Sequence, residues 1–392
     1  MAMRSDLLLL GIGGGGCKLV CSIVRYSDIN FKALAIDTDA ASSREAGDAA
    51  IEFLLIGRDR LLGNGTGGDV ASGRAAADDD MNKLEAHISE VRMVMVLTSL
   101  GSGTGGGATP RILAYLKERG LTTFCFATLP FSFEGASRFE CADGVVSLVQ
   151  DFSDTLVTVS FDDLAEENGS DNLQEAMDGC FRTLGAAVAL VWRLVCSPGY
   201  IQLDAERMRS LVMQGRGGRL GFAGSSDSGG RASEIIDKLA RCKLLTGGSG
   251  KIADARALMV GIIGGDDLLL SEISMIMAGI ESMCTDNPRI EMGTVQDAAF
   301  NERVEVVIFA FENWNALKPV RQRVQSFSGE PPVADFSAVS KSSRRHNKSA
   351  PATKLSVGPS GRGRFQNSEP TFYQGDDLDI PAFLRHGLNI ER

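Results

Sequence analysis

A short apolar run that breaks into glycine and then opens a helix-length amphipathic stretch occurs twice in the first third of this chain. No other feature limits the fold as much. Leu7–Leu10 gives way to Gly11-Ile12-Gly13-Gly14-Gly15-Gly16, followed by a helical pattern over Cys17–Arg25. Met93–Leu97 gives way to Thr98-Ser99-Leu100-Gly101-Ser102-Gly103-Thr104-Gly105-Gly106-Gly107-Ala108-Thr109-Pro110, followed by a helical pattern over Pro110–Arg119. Residues without Cβ atoms let backbone N–H groups converge on an anion at a helix N-terminus, where the macrodipole also favours negative charge. Pro110 suits the first turn of its helix. A third glycine stretch, Gly63-Asn64-Gly65-Thr66-Gly67-Gly68, precedes Arg74.

One such loop has several readings. Gly11–Gly16 satisfies G-x-G-x-x-G, and Asp37 lies 21 residues beyond Gly16, which suits an NAD-linked oxidoreductase holding a ribose. The plain alternative is a turn that packs a helix on a strand. A dinucleotide fold needs one glycine loop, so a second and third point instead to a polyphosphate nucleotide held by backbone amides, with Lys18 able to add a cation. There is no Walker A motif: Ser249-Gly250-Lys251 precedes Ile252 and lacks the leading glycine.

Further apolar runs at Ala33–Ile36, Phe53–Ile56, Thr123–Ala127 and Leu156–Val159 alternate with helical patterns at Ala75–Glu90 and Phe139–Gln150. Continuous apolar strands between helices predict an α/β fold with a Rossmann-like parallel sheet covered on both faces. A long helix over Gln174–Cys196 then leads to Ser197-Pro198-Gly199. Helices near Asp204–Gln214, Ala232–Arg241 and Leu268–Cys284, with strands at Ala257–Ile263, Arg289–Val295 and Val304–Ala310, predict a smaller mixed sheet in a second α/β region. Leu184–Val195 is interrupted by Arg193 and reads as a buried core helix rather than a membrane span. From about Asn315 to Gly375 there are ten Lys and Arg against three Asp and Glu and few large apolar residues, the texture of a disordered linker.

Composition narrows the function classes. A net charge of −10 disfavours a nucleic-acid binder that works by neutralising phosphates. Eight Cys without a C-x-x-C pair and only three His argue against a zinc cage, so no metal ligands are expected from side chains; the thiols read as buried and reduced, in a cytoplasmic protein. Leu7–Leu10 is too short for a signal-peptide core, and no direct membrane insertion is expected.

The motifs together resemble the tubulin/FtsZ family, its FtsZ branch in particular, as a divergent member. Gly101–Gly107 reads G-S-G-T-G-G-G against G-G-G-T-G-[TS]-G, and Asp37-Thr38-Asp39-Ala40 stands against N-T-D-A. Pro130-Phe131-Ser132-Phe133-Glu134-Gly135-Ala136-Ser137-Arg138 matches P-F-x-F-E-G-x-x-R, and Asp377–Arg385 is close to the C-terminal peptide. The resemblance covers residues ~5–314 and the tail, and motifs in this order are far more specific than any one of them. It implies a GTP-binding domain at 1–173, a central helix at 174–197, and a C-terminal domain at 198–314 carrying an inter-subunit catalytic loop. A disordered basic linker at 315–375 and a partner-binding peptide at 376–392 follow. It further implies GTP or GDP as ligand, with Mg2+ admitted, and head-to-tail filaments of the bacterial division ring. Membrane-tethering division proteins would be held through Asp376–Arg385.

The nucleotide residues implied are Gly13, Gly14, Gly15, Gly16, Lys18, Gly67, Gly68, Gly101, Ser102, Gly103, Thr104, Gly105, Gly106 and Gly107, with Glu134 and Arg138 at ribose and phosphate. The family's ribose- and guanine-contacting Asn positions align to Phe161 and Phe181, and its base-contacting Asp to Arg182; Phe leaves stacking in place of hydrogen bonds. The family's water-activating N-x-D-x-x-D loop reads Gln202-Leu203-Asp204-Ala205-Glu206-Arg207. Asp204 keeps the first carboxylate, whereas a guanidinium at Arg207 accepts no proton. Glu206 is about 100° round the helix from Arg207. Slow GTP hydrolysis is the expectation, with a catalytically degenerate filament scaffold lacking GTP specificity as the alternative.

Overall fold

The computed structural model describes residues 7–27, 29–168, 172–196, 199–203, 205–213, 215, 217–226, 229–312, 372–373 and 376–377. Asp204, the linker up to 371, and the tail from Leu378 to Arg392 lie outside the described residues. In the first half, strands β1 (Leu7–Ile12), β2 (Ala33–Asp37), β3 (Glu52–Leu55), β4 (Met93–Ser99), β5 (Thr122–Leu129) and β6 (Thr155–Ser160) are parallel. Helices α1 (Gly13–Tyr26), α2 (Ser42–Asp48), α3 (Arg58–Leu61), α4 (Val70–Ile88), α5 (Gly103–Glu118) and α6 (Ala136–Phe152) connect them. Next come α7 (Phe161–Asn168), the long α8 (Leu173–Cys196), α9 (Ala205–Val212), β7 (Gly217–Ser225), α10 (Arg231–Arg241) and α11 (Lys243–Thr246). The second half closes with β8 (Ala255–Gly264), α12 (Leu270–Met283), β9 (Arg289–Gln296) and β10 (Val304–Glu312). Phe372–Tyr373 pairs antiparallel with Asp376–Asp377.

The apolar runs account for the first six strands: Leu7, Leu9, Val94, Val96, Phe124 and Phe126 are all buried, as a sheet covered on both faces requires. Strand order is β3-β2-β1-β4-β5-β6-β7-β10-β8-β9. The order runs one way from β1 and the other way from β4, so the crevice beyond the carboxyl ends of β1 and β4 is the switch point where open α/β sheets bind ligands.

The second half has the expected mixed strands, β7-β10-β8 antiparallel and β8-β9 parallel, but they continue the first sheet. β7 joins β6 in parallel at Leu156↔Gly217 and Val157↔Gly218 and pairs antiparallel with β10, so all ten strands are continuous. β7 reads Gly-Gly-Arg-Leu-Gly-Phe-Ala-Gly-Ser, and its glycines hide it from a hydropathy pattern. They are packing residues: a Cβ on Gly221 would lie 2.6 Å from Leu245 Cδ2, and one on Gly218 would lie 3.0 Å from Val157. Pro110 is also displaced from expectation, lying inside α5 rather than in its first turn. The helix starts seven residues earlier, at Gly103, because α4 and α5 touch backbone to backbone where Gly73, Gly103 and Gly107 meet. That close packing outweighs the poor helix propensity of glycine.

From Leu184 on, helix α8 is apolar on nearly every side and is packed between α1 and strands β8–β10, with Leu184, Val188, Val191 and Leu194 buried. Its length and hydropathy would permit a membrane span, but its apolar stretch is spent on this core. One hydrophobic cluster runs from α1 through α8 into β8 and β10; a second lies on the other face, under α4, α5 and α6. Cys17, Cys21, Cys125, Cys180 and Cys242 are buried among these apolar side chains.

Candidate nucleotide site

The helix that follows β1 has no side-chain cap: Ile12 occupies the N-cap position, so the first-turn amides of α1 are left for a ligand. At α5 the cap is Ser102, whose hydroxyl accepts from Gly105 N at 3.1 Å while its carbonyl accepts from Gly106 N at 2.8 Å. The two helix N-termini abut, because a Cβ on Gly13 (φ +73°) would lie 2.9 Å from Gly105 N. The segment Asn64–Asp69 closes in from a third side. A Cβ on Gly103 would fall on Thr66 Oγ1 and lie 2.7 Å from the Gly68 carbonyl carbon. Thr38 and Thr104 share a 2.7 Å hydroxyl hydrogen bond that ties the end of β2 to the start of α5.

These elements enclose a cleft of about 1070 Å³ at the switch point. Gly14, Gly15, Lys18, Gly67, Gly68, Gly101, Ser102, Gly103, Thr104, Glu134, Arg138, Phe161 and Phe181 all line it. Gly13, Gly16, Gly105, Gly106 and Gly107 do not line it. Gly16 lies against the Leu97 carbonyl, Gly107 against Val70 and Arg74 backbone, and Gly105 against the Ser99 carbonyl. Their lack of a Cβ serves helix packing, and the amides of Gly105 and Gly106 are already taken by Ser102. Arg182 is not in the cleft either; it lines a separate cavity of about 340 Å³ beside α1 and α8. Phe181 borders both cavities, whereas Arg182, about 100° further round the helix, borders only the smaller one.

Asp39, Ser99 and Ser137, which stand inside the motifs without a role assigned there, line the cleft, as do Glu45, Leu173 and Met177, which no motif contains. Leu173, Met177 and Phe181 recur at four-residue steps, so one face of α8 was legible in principle. Glu134 Oε2 accepts from Arg138 Nη1 at 2.6 Å, and its Oε1 accepts from Phe131 N at 2.8 Å, which fixes both side chains at the rim.

Burial pushes the Asp37 carboxyl above the usual carboxylate range, partly offset by hydrogen bonds from Ser42 Oγ at 2.6 Å and Thr38 N at 2.8 Å. A carboxyl whose folded pKa exceeds its unfolded value of about 4 favours folding fully below that value and loses the advantage as pH rises through the folded pKa. Asp37→Asn is therefore expected to stabilise the fold at pH 7 relative to the parent, and to lose that gain near pH 4. Urea denaturation at both pH values decides it; an equal difference at both would contradict the burial argument.

The segment expected to activate water lies elsewhere. Phe181 borders the cleft and Cys196 ends the same helix, about 22 Å away at ~1.5 Å per residue. Gln202 is exposed beyond that end, and Arg207 on α9 pairs with Glu291 Oε2 at 3.9 Å. A chain built this way cannot bring Gln202 or Arg207 to its own cleft.

Residues 6–169 match the tubulin/FtsZ family GTPase domain, and residues 219–312 match the FtsZ family C-terminal domain. The chain is 29% identical to the cell division protein FtsZ of Pseudomonas aeruginosa, across 98% of this chain and 97% of that one. With the cell division protein FtsZ of Pseudomonas putida it shares 28% identity across 96% and 95% of the two chains. Among solved structures, an empty FtsZ dimer from M. jannaschii aligns with a TM-score of 0.72 at 25% identity, covering 81% of this chain and 90% of that one. CetZ2 from Haloferax volcanii, solved as a GTPgS-bound protofilament, shares the fold with a TM-score of 0.65 at 21% identity, covering 81% and 96%.

Proposed function

This chain belongs to the tubulin/FtsZ family, and from that premise we propose that it is a GTP-binding cytoskeletal protein of bacterial cell division that hydrolyses its nucleotide slowly, between copies. The observation that carries the reading is the separation of the cleft from the Gln202–Arg207 segment by most of the length of α8. In this reading the triphosphate lies over β1 and β4, on the amides of Gly14, Gly15, Gly103 and Thr104, with Lys18 and Arg138 adding charge. Residues 1–173 are then the nucleotide domain, 174–197 the central helix and 198–314 the domain that covers the next copy's nucleotide.

Exposed apolar side chains support assembly through two different surfaces. Leu62, Phe133 and Leu173 stand out beside the cleft, while Tyr200 (87% exposed) and Ile201 stand out past the end of α8. A patch pairing with a different patch gives a head-to-tail contact that does not close. The tail Asp376–Arg385 would tether such filaments to membrane-anchored division proteins, in the cytoplasm at the division site, and Mg2+ would accompany the triphosphate. A second reading, a filament scaffold without turnover, is favoured by the Arg207–Glu291 pair, which puts a guanidinium where a base is needed.

Phosphate release measured against protein concentration tests the reading. Catalysis between copies predicts a rate per chain that rises above a threshold concentration. A rate per chain independent of concentration would contradict it.

A further inference from the structure

The flank of the cleft on the β6 side carries four phenylalanines in series. Phe133 stacks on Phe131 with ring centroids 4.9 Å apart, Phe131 meets Phe161 at 5.5 Å, and Phe161 meets Phe181 edge to face at 5.7 Å. Phe131 and Phe161 are buried, whereas Phe133 is 65% exposed. Leu173 and Met177 extend the same wall from the first turns of α8. The opposite flank is acidic, with Asp37, Asp39 and Glu45. A nucleotide with its phosphates over β1 and β4 gains from placing a flat, uncharged base against the phenyl rings and gains nothing from placing it among carboxylates.

Guanine differs from adenine at its Watson–Crick edge, where N1–H and N2–H need an acceptor. Among the described residues, the carboxylates on the segments that build this wall either accept from neighbouring groups already or do not line the cleft. Glu134 spends one oxygen on Phe131 N and the other on Arg138. Asp162 spends one on Ser132 N at 2.9 Å and the other on Ser132 Oγ at 3.1 Å. Asp163, Glu175 and Asp178, on α7 and α8, do not line the cleft. Lys18 can only donate, and purine N7 is an acceptor in both bases.

From this arrangement we infer that the base is held by stacking on the Phe133–Phe181 wall without its edge being read, so that the cleft takes adenine as well as guanine nucleoside triphosphates. The inference rests on the proposed nucleotide site and replaces its guanine selectivity with purine selectivity. Sites that hydrogen-bond a substrate group reject analogues lacking it by about 10⁴-fold or more, whereas apolar pockets separate similar ligands by about 10- to 200-fold.

The experiment titrates mant-GTP and mant-ATP into the full-length chain after bound nucleotide has been removed. The expected result is dissociation constants within about tenfold of each other. Phe181→Ala should weaken both by a similar factor, about tenfold, and Phe181→Asp, which supplies an acceptor, should move the preference toward GTP. A GTP preference above about 100-fold in the parent chain would overturn the inference while leaving the nucleotide site standing. Binding of neither probe would overturn both. The parent-chain comparison decides the matter even if the Phe181 variants fail to fold.

Discussion

Gly15→Ala is expected to lower nucleotide affinity by at least about 100-fold while leaving the chain folded. The added methyl would fall on Ser99 Oγ and lie 2.6 Å from Ser99 Cβ, and Ser99 is held by a 2.7 Å hydrogen bond to Thr128 Oγ1. A hydroxyl can rotate away, but a Cβ at that distance cannot, so the start of α1 must lift off β4. Overpacking of this kind costs typically ~1–3 kcal/mol, which a domain of this size survives. A shift of about 1 Å in groups that position a ligand is enough to cost ~10²-fold, and amides at a helix N-terminus have no side-chain freedom to compensate. The double variant Gly15→Ala/Ser99→Gly should recover most of the affinity, because it removes both colliding atoms. Gly47→Ala is the control: nothing lies within 4 Å of its Cβ position, so binding should be unchanged. Near-parental affinity in Gly15→Ala would refute the claim that these amides hold the phosphates.

Arg207→Asp is expected to raise phosphate release from assembled protein by about 10²-fold. General-base catalysis contributes typically ~10²–10⁴-fold, and a guanidinium cannot supply it. The parent arginine is half exposed and pairs with Glu291 across 3.9 Å. An aspartate there would face Glu291 instead, and a neighbouring like charge raises a carboxylate's proton affinity, which helps a base at neutral pH. Arg207→Gln removes the same ion pair without adding a base and should leave the rate unchanged. If Arg207→Gln accelerated release as much as Arg207→Asp, relief of the ion pair would be the cause and the missing base would not.

What could be seen from sequence follows from which signal each element leaves. The runs at Leu7–Leu10, Met93–Leu97 and Thr123–Ala127 announce buried parallel strands because both faces must be apolar, and all of them are strands in the structure. β7 left no such signal, since Gly218 and Gly221 make room for Val157 and Leu245 instead of contributing apolar side chains. Helix α4 starts at Val70, five residues before the amphipathic pattern at Ala75, because Asp69 caps it at the edge of a glycine stretch, accepting from Ala71 N and Ser72 N. Within the site, motif spacing picked out glycines around the cleft, yet it could not separate Gly14 and Gly15, which border it, from Gly16 and Gly107, which serve packing. That distinction depends on which backbone lies opposite each missing Cβ. Likewise, Phe181 and Arg182 are adjacent in sequence, and only the rotation of α8 brings Phe181 to the cleft while leaving Arg182 on the smaller cavity that Phe181 also borders.

The most direct test of a cleft that holds a triphosphate on backbone amides and is covered by a second copy is sedimentation of nucleotide-free protein with and without GTP, followed by nucleotide analysis of the pellet. The account predicts that pelleting depends on added nucleotide and that the pellet retains about one nucleotide per chain. A pellet of the same size without nucleotide, or one that carries none when nucleotide is supplied, would contradict it.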